Sequence, residues 1–471
     1  MEETGARSRP SARCDRGPVA ALKPLCPLLS PVNRNYKFPL NITIIRKIFL
    51  AVALAASISQ FASGATIMVG TNGVFTPDHF LLPYAFYSQF FCAAGSVAYG
   101  ASGTPQKQMS YVASAMAGTE GSVAVFFLGK DIQMPFCERL FLDPWLSAGY
   151  YQQQNVFIQG NPNYPNQQAG SNGSDKNNYV SGDGSDTYAY LNFRYDLPLG
   201  AVRDNPVPTQ VVDRGMLVSG ATGGKTWNPL TSGITEIQFQ PFSRQQTVNS
   251  PDVTTSDIRT TGLTTGLTYD NRDFQPNPSC GSYQQVSFSR DFGVPDSTAT
   301  WSAVQATYDK FFSLGATDHL RQQVLALSFW TAQAITWQAQ DTGSGTTISH
   351  RPPNFAGATL GGLFRMRAYP FGRFSDKSAI YYCAEYRFIP DWNPLNSIPY
   401  VEKLQSDWIQ GVVFVETGRV APEWSVTTLN SQLKYDGGVG LRVMVKRLVG
   451  RLDLAYGEEG AGVQMMVGQS F

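Results

Sequence analysis

Along most of the chain, apolar and polar residues alternate with a period of two. In 188–195, Ala189, Leu191, Phe193 and Tyr195 share one face, while Tyr188, Tyr190, Asn192 and Arg194 share the other. In 262–270, Leu263, Leu267 and Tyr269 oppose glycines, threonines and Asp270. In 378–388, Ile380, Tyr382, Ala384, Tyr386 and Phe388 oppose Tyr381, Cys383, Glu385 and Arg387. Val439, Leu441, Val443 and Val445 oppose Arg442 and Lys446, and Leu452, Leu454 and Tyr456 oppose Arg451 and Asp453. This is the pattern of strands with one apolar face. About sixteen such segments follow, near 87–100, 109–119, 120–130, 144–155, 186–197, 214–222, 234–247, 259–270, 282–292, 300–314, 322–337, 378–389, 408–419, 434–446, 447–456 and 462–471, and no amphipathic helix interrupts them. A soluble propeller or sandwich would also read as strands. Here the charged residues share a face with glycines while the opposite face is purely apolar and aromatic, which predicts a wet lumen and a lipid-facing wall. The expected fold is all-β, a transmembrane antiparallel barrel over 87–471. On this strand count, the Asn/Gly/Ser-rich loop 159–186 falls at the periplasmic end.

Composition narrows the alternatives. Of 471 residues only 15% are charged, against about 25% in an ordinary soluble domain. The 36 basic and 35 acidic residues nearly cancel, which excludes a strongly basic nucleic-acid binder and an acidic disordered chain. Mean hydropathy is −0.18, and no apolar run reaches the ~18 residues of a membrane helix. A helical membrane protein is excluded.

Residues 1–64 read as an N-terminal extension and a signal peptide. Nine basic residues precede an uncharged apolar run, Ile48–Ile58, which leads into Ser-Gln-Phe-Ala-Ser-Gly-Ala at 59–65. A basic flank, a short apolar stretch and small residues at a cut site are the parts of an export address. Cleavage is expected after Gly64 or Ala65, leaving 65–86 as a short periplasmic lead-in. Nine of the 36 basic and three of the 35 acidic residues would leave with the address, so 27 basic and 32 acidic residues, a net −5, would be exported. Cys92, Cys137, Cys280 and Cys383 would remain. Their spacing fits no zinc or CxxC pattern, so they read as small residues packed in strands.

Four local patterns in 259–471 resemble the bacterial surface antigen family, the BamA/TamA superfamily of outer-membrane barrels. Asp270, Arg272 and Asp273 followed by Pro278 and Gly281 resemble that family's Asp-x-Arg-Asp…Pro-x-x-Gly hairpin. Gly361-Gly362-Leu363-Phe364-Arg365-Met366-Arg367-Ala368-Tyr369 resembles its sixth extracellular loop, whose core is Val-Arg-Gly-Phe/Tyr. Glu385-Tyr386-Arg387 resembles the Glu-x-Arg of the following strand, and Phe414-Val415-Glu416-Thr417-Gly418 the Phe-x-Asp-x-Gly of the next. The strand count independently puts that loop between strands eleven and twelve. The resemblance implies that the loop folds into the barrel, where Arg367 pairs with Glu416 or with Asp436, and Tyr369 completes the motif. A planar guanidinium suits a buried carboxylate contact, and Arg365 is the rival for the role. Ala368 stands where the family has glycine; if that position needs positive φ, alanine resists it. The final strand places Val463, Met465, Val467 and Phe471 on one face, and a terminal aromatic of this kind serves many outer-membrane barrels as an assembly signal. The lead-in leaves about twenty residues before the first strand, too few for a POTRA domain.

The implied location is the bacterial outer membrane, in contact with its lipid. The implied role is protein insertion or translocation through a seam between the first and last strands, with unfolded outer-membrane or secreted proteins as clients and a monomeric barrel. A passive channel for small solutes and a structural surface antigen are the alternatives. Enzyme signatures fail. His79, His319 and His350 sit at no metal-ligand spacing, and Gly-x-Ser-x-Gly does not occur. Gly223-Gly224-Lys225-Thr226 lacks the leading glycine of a phosphate loop and reads as a strand-end turn. Glu458-Glu459 reads as a solvated hairpin tip. No cofactor, metal or nucleic-acid partner is expected.

Overall fold

A computed structural model describes residues 64–471, apart from 89, 225, 252–254, 342–345, 400–401 and 403–404. The expected signal peptide, up to residue 63, lies outside the described residues. Sixteen strands form the wall. The first eight are β1 (Asp78–Ser88), β2 (Cys92–Ser102), β3 (Ser110–Gly118), β4 (Val123–Lys130, resumed at Ile132–Met134), β5 (Cys137–Val156), β6 (Val180–Asp196), β7 (Ile234–Val248) and β8 (Ser256–Asp270). The rest are β9 (Gly281–Asp291), β10 (Trp301–Ser313), β11 (Leu320–Ala334), β12 (Ser378–Pro390), β13 (Ser406–Ala421), β14 (Lys434–Val445), β15 (Leu448–Gly457) and β16 (Gly460–Val467).

Each strand pairs antiparallel with the next, in one run from β1 to β16. The alternation reads out as expected. Leu81, Val97, Leu191, Leu267, Val415 and Leu454 are exposed on the outside, while Arg194, Glu385, Arg387, Arg442 and Asp453 are buried within. An apolar outside and a charged inside satisfy lipid and lumen together.

Two corrections to the strand assignment cancel in the total. The expected strand 87–100 is in fact two, because Phe90 and Phe91 form a turn between β1 and β2, so the wall begins at Asp78 within the expected lead-in. The expected strand 214–222 is not in the wall. Met216–Ser219 pairs with Thr209–Asp213, which also pairs in parallel with Ile67–Gly70, in a small sheet of its own. Its short, mixed sequence cannot span a bilayer, which takes about 9–11 residues. With the count shifted by one, the loop after β5 falls at the same end as the 335–377 loop. Ser375 N–H indeed donates to Gly170 O at 2.8 Å, so the periplasmic assignment of 159–186 is overturned. This is the outer end in the orientation that the family resemblance gives.

The end strands meet differently. Among the described residues no register of paired residues joins β1 to β16. The outward side chains Met465 and Val467 of β16 pack instead against the inward side chains of the opening strands. Met465 packs against Tyr84 and Ala98, and Val467 joins a buried cluster with Val112 and Leu128, against which Leu82 also packs. The lower half of β16 is therefore tucked inside β1. The chain then turns at Gly468 (φ 103°) into the lumen. Phe471 is 3% exposed, with its ring 4.8 Å from the Arg387 guanidinium and 6.1 Å from the Phe311 ring. The expectation that Phe471 shares the outward face of Val463 is thus corrected. Gly468 and the hydrogen bond from Ser470 Oγ to Glu385 Oε1 (2.7 Å) draw it inward. Cys137, Cys280 and Cys383 form no disulfide.

Candidate functional site

Residues 335–377 connect β11 to β12, and the part from 358 to 374 folds into the barrel, with Ala358, Leu360, Met366, Arg367, Tyr369 and Phe374 buried. A two-residue ladder, Thr359–Leu360 with Phe374–Ser375, closes the base of the inner turn. Positive φ falls on Gly361, Gly362, Gly372 and Met366 (φ 56°), and not on Ala368. The substitution of alanine for the family glycine therefore costs no backbone strain. Ala368 is accommodated by the wall instead: a side chain at Gly462 would sit 2.3 Å from Arg367 O, and one at Gly457 would sit 3.1 Å from Ala368 Cβ. Glycines on β15 and β16 let the loop backbone lie against them.

Arg367 is 0% exposed. Its Nε donates to Glu416 Oε1 at 3.1 Å, and its backbone N–H to Glu416 Oε2 at 2.7 Å. Nη1 reaches Asp453 Oδ2 at 2.8 Å and Nη2 reaches Glu385 Oε1 at 2.9 Å. The guanidinium carbon lies 3.5 Å from the centre of the Phe414 ring. Asp436, opposite Glu416 in the ladder, takes the N–H of Ala368 at 3.1 Å rather than the guanidinium. Tyr369 donates its hydroxyl to Tyr435 O at 3.0 Å. Gly418 leaves room for the loop, since a side chain there would lie 2.9 Å from Leu360 Cδ1.

The acids are shared with wall arginines. Glu385 pairs with Arg387 at 2.8 Å and with Arg442 at 3.7 Å. Asp453 pairs with Arg442 and, at 3.4 Å, with Arg451. Tyr381 donates its hydroxyl to Glu416. The loop's other arginine behaves differently. Arg365 stacks 3.9 Å over Trp330 and, among the described residues, forms no ion pair with a carboxylate. Burial pulls its guanidinium down to about 10. Burial opposes the charge of Arg367 too, but Glu416, Asp453 and Glu385 outweigh it and hold that guanidinium firmly protonated.

The structure thus gathers Arg367, Tyr369, Glu385, Arg387, Phe414, Glu416, Gly418 and Asp436 into one place. It does not bring Asp270, Arg272, Asp273, Pro278 and Gly281 there. Those form the inner-end turn between β8 and β9, where Arg272 Nη2 pairs with Asp270 at 2.7 Å and Asp273 accepts the N–H groups of Ser279 and Cys280. Gly281 has φ 97° and approaches Asn271 O, so no side chain fits there. Asp453, Arg451 and Gln464, which donates to Arg367 O at 2.9 Å, were missed as site residues. The alternation put Asp453 and Arg451 on the inner face, but nothing local says which inner groups a loop will meet. Glu459 is also more than a solvated tip, since Arg373 Nε reaches it at 2.7 Å while Arg373 Nη1 donates to Ser174. That arginine ties both long outer loops to the β15–β16 hairpin. Beside the loop remains a cavity of about 240 Å³, lined among others by Trp145, Tyr190, Phe242, Trp301 and Arg365.

A greasy antiparallel cylinder with a charged, loop-filled interior defines an outer-membrane β-barrel. Residues 131–471 match the Omp85 superfamily domain, and the chain belongs to that superfamily. This bears out the expected kinship and location, in a family of outer-membrane insertion and translocation proteins rather than enzymes. Among solved structures the chain is similar to BamA from Haemophilus ducreyi lacking POTRA domains 1–3, with 12% identity over 84% of this chain and 70% of that one and a TM-score of 0.43. It is also similar to CdiB from Acinetobacter baumannii (12% identity, 83% of this chain, 59% of that one, TM-score 0.45) and to CdiB from Escherichia coli (11%, 83%, 61%, 0.48). The chain therefore spans less than two thirds of either CdiB. No curated protein matches it.

Proposed function

We propose that the barrel inserts or passes polypeptide at the outer membrane by parting β1 from β16, while the 335–377 loop stays latched in the lumen through Arg367. The observation that carries this reading is the unladdered seam. Parting any other neighbours breaks a run of backbone hydrogen bonds and leaves donors and acceptors unmet in lipid. Parting β1 from β16 gives up side-chain contacts and leaves a strand edge free to pair with an incoming strand. The occluded lumen favours this lateral route over a passive channel, which would require the loop to leave. The clients are unfolded outer-membrane or secreted proteins, and a single barrel suffices.

The test joins the seam. Leu82→Cys with Val467→Cys, linked by a short reducible thiol cross-linker, should lower the folded levels of other outer-membrane proteins as depletion of the protein does, and reduction should restore them. Unchanged levels under both treatments reject the reading. Steady conductance in planar bilayers, raised by deleting 351–376, would replace it with a solute channel.

A further inference from the structure

The latch holds the loop against one side of the lumen, through Glu385, Glu416, Asp436, Asp453 and Gln464 of β12–β16. The cavity beside the loop lies on the other side, against the inner faces of β4–β10, and is bordered at its outer end by Phe355, Ala356 and Gly357 of the loop. Along β7 its lining runs from Gln238 to Arg244, about 20 Å of strand at ~3.4 Å per residue. Toward the inner end it stops at a buried ion cluster, in which the three nitrogens of Arg194 reach Asp131, Asp143 and Glu236, each at 2.5 Å.

Three kinds of group face that space. The first is aromatic: Trp145 and Tyr190 stack with ring centres 6.0 Å apart, and the rings of Phe242 and Trp301 also meet at 6.0 Å. The second is neutral and polar. Gln238, Gln240, Gln285, Gln305 and Ser287 line the cavity, and among the described residues the side chains of Gln240 and Ser287 and the hydroxyl of Tyr190 form no hydrogen bond. The third is charged, and here the pairing is incomplete. Asp143 is held by Arg194, Arg244 pairs with Asp186 at 2.5 Å, and Lys130 lies 3.5 Å from Asp131. Arg365 is left over. Trp330 covers one face of its guanidinium, and among the described residues none of its N–H groups has an acceptor. Two acids act on it from a distance: Glu416 is committed to Arg367, and Asp309 forms no ion pair with it.

We propose that this cavity binds a small acidic sugar, a hexuronate, with its carboxylate on Arg365. A guanidinium whose edge donors are free takes a carboxylate through two parallel hydrogen bonds. The glutamine and serine side chains supply the mixed donors and acceptors that ring hydroxyls need, whereas a flat hydrocarbon acid would leave them unmet. The C–H face of a pyranose lies flat on an aromatic ring, and a bare acetate or phosphate has no such face to bury. A volume of about 240 Å³ falls below the ~300–1,000 Å³ of pockets for drug-sized ligands, which limits the ligand to about one or two sugar rings. The site is independent of the seam and stands or falls without it.

The test titrates the folded barrel, in a detergent without a sugar headgroup, with glucuronate, galacturonate and mannuronate, and follows tryptophan fluorescence; glucose and acetate are the controls. At least one hexuronate should saturate about tenfold or more tightly than either control. The proposal is overturned if glucose or acetate binds as tightly as the hexuronates, or if none of the three saturates by ~10 mM. Arg365→Gln, in barrels that keep heat-modifiable migration, should bring the hexuronate down to the affinity of glucose; an unchanged preference overturns the role of Arg365. If that variant fails to fold, the unaltered protein decides. Phenylglyoxal should modify Arg365, and a hexuronate at about ten times its dissociation constant should slow this about tenfold, while the exposed Arg214 reacts at one rate throughout. An Arg365 that phenylglyoxal does not reach, or reaches equally fast with the sugar present, overturns the proposal.

Discussion

Arg367 and Arg194 are alike in burial and in partners, since each is 0% exposed and each reaches three carboxylates. They differ in where they come from. Arg194 belongs to the wall, and its partners lie on β5, on β7 and at the break in β4, brought close by the same ladders that build the cylinder. Arg367 comes from a loop and meets acids 49 and 86 residues away, contributing nothing to any ladder of the wall. Their partners differ too. If Arg367 leaves, Glu385 and Asp453 keep Arg387, Arg442 and Arg451, and Glu416 keeps the Tyr381 hydroxyl, whereas the only side-chain cation left to the acids around Arg194 is Lys130, on Asp131. One arginine is part of the cylinder. The other fastens a separable piece to it.

Removing Arg194 should therefore have the largest effect. Arg194→Met leaves Asp143 and the fully buried Glu236 without a side-chain cation, at a cost of about 3–5 kcal/mol. The expected result is a loss of heat-modifiable folded barrel and a lower urea midpoint. Arg367→Met should cost about 2–3 kcal/mol, and the loss should fall on the loop: the barrel folds at reduced yield, and limited proteolysis cuts within 351–376. Arg367→Lys keeps the charge but not the fork that spans Glu416, Asp453 and Glu385, so its loop should be cut at an intermediate rate. If Arg367→Met abolished folding as completely as Arg194→Met, the distinction between wall and fastening would collapse. If neither variant altered proteolysis or yield, both networks would be passengers.

The same contrast explains what could be read from the sequence. A strand has a period of two, so the inward direction of Arg194, Glu385, Arg387, Arg442 and Asp453 followed from their neighbours. The break between β1 and β2 was invisible because Phe90 and Phe91 continue the apolar tone through the turn, without the glycine or proline that usually marks one. The partners of Arg367 were half legible: Glu416 came from the resemblance, while Asp453 and Gln464 depend on how deep the loop descends. That depth is set by close approach at Gly418, Gly457 and Gly462, and no spacing rule predicts it. The inward turn at Gly468 was missed for a related reason. Alternation up to Val467 extrapolates naturally to Phe471, and a single positive φ ends it.

The smallest effect belongs to a contact of intermediate kind, a loop arginine with a single, partly wet acid. Arg373 pairs with Glu459, whose side chain is 15% exposed, and donates to Ser174 O at 2.6 Å. Screening limits the ion pair to about 1 kcal/mol or less, but the arginine joins three separate outer segments. Arg373→Gln should leave barrel yield and the cutting rate at 351–376 nearly unchanged, and increase proteolysis within 157–179 severalfold. High salt should reproduce part of this effect in the unaltered protein and leave the Arg367 contacts intact, because screening reaches Glu459 and not Glu416. If salt released both loops together, the loop fastening would be one cooperative unit, and the separate depth assigned to Arg367 would have to be abandoned.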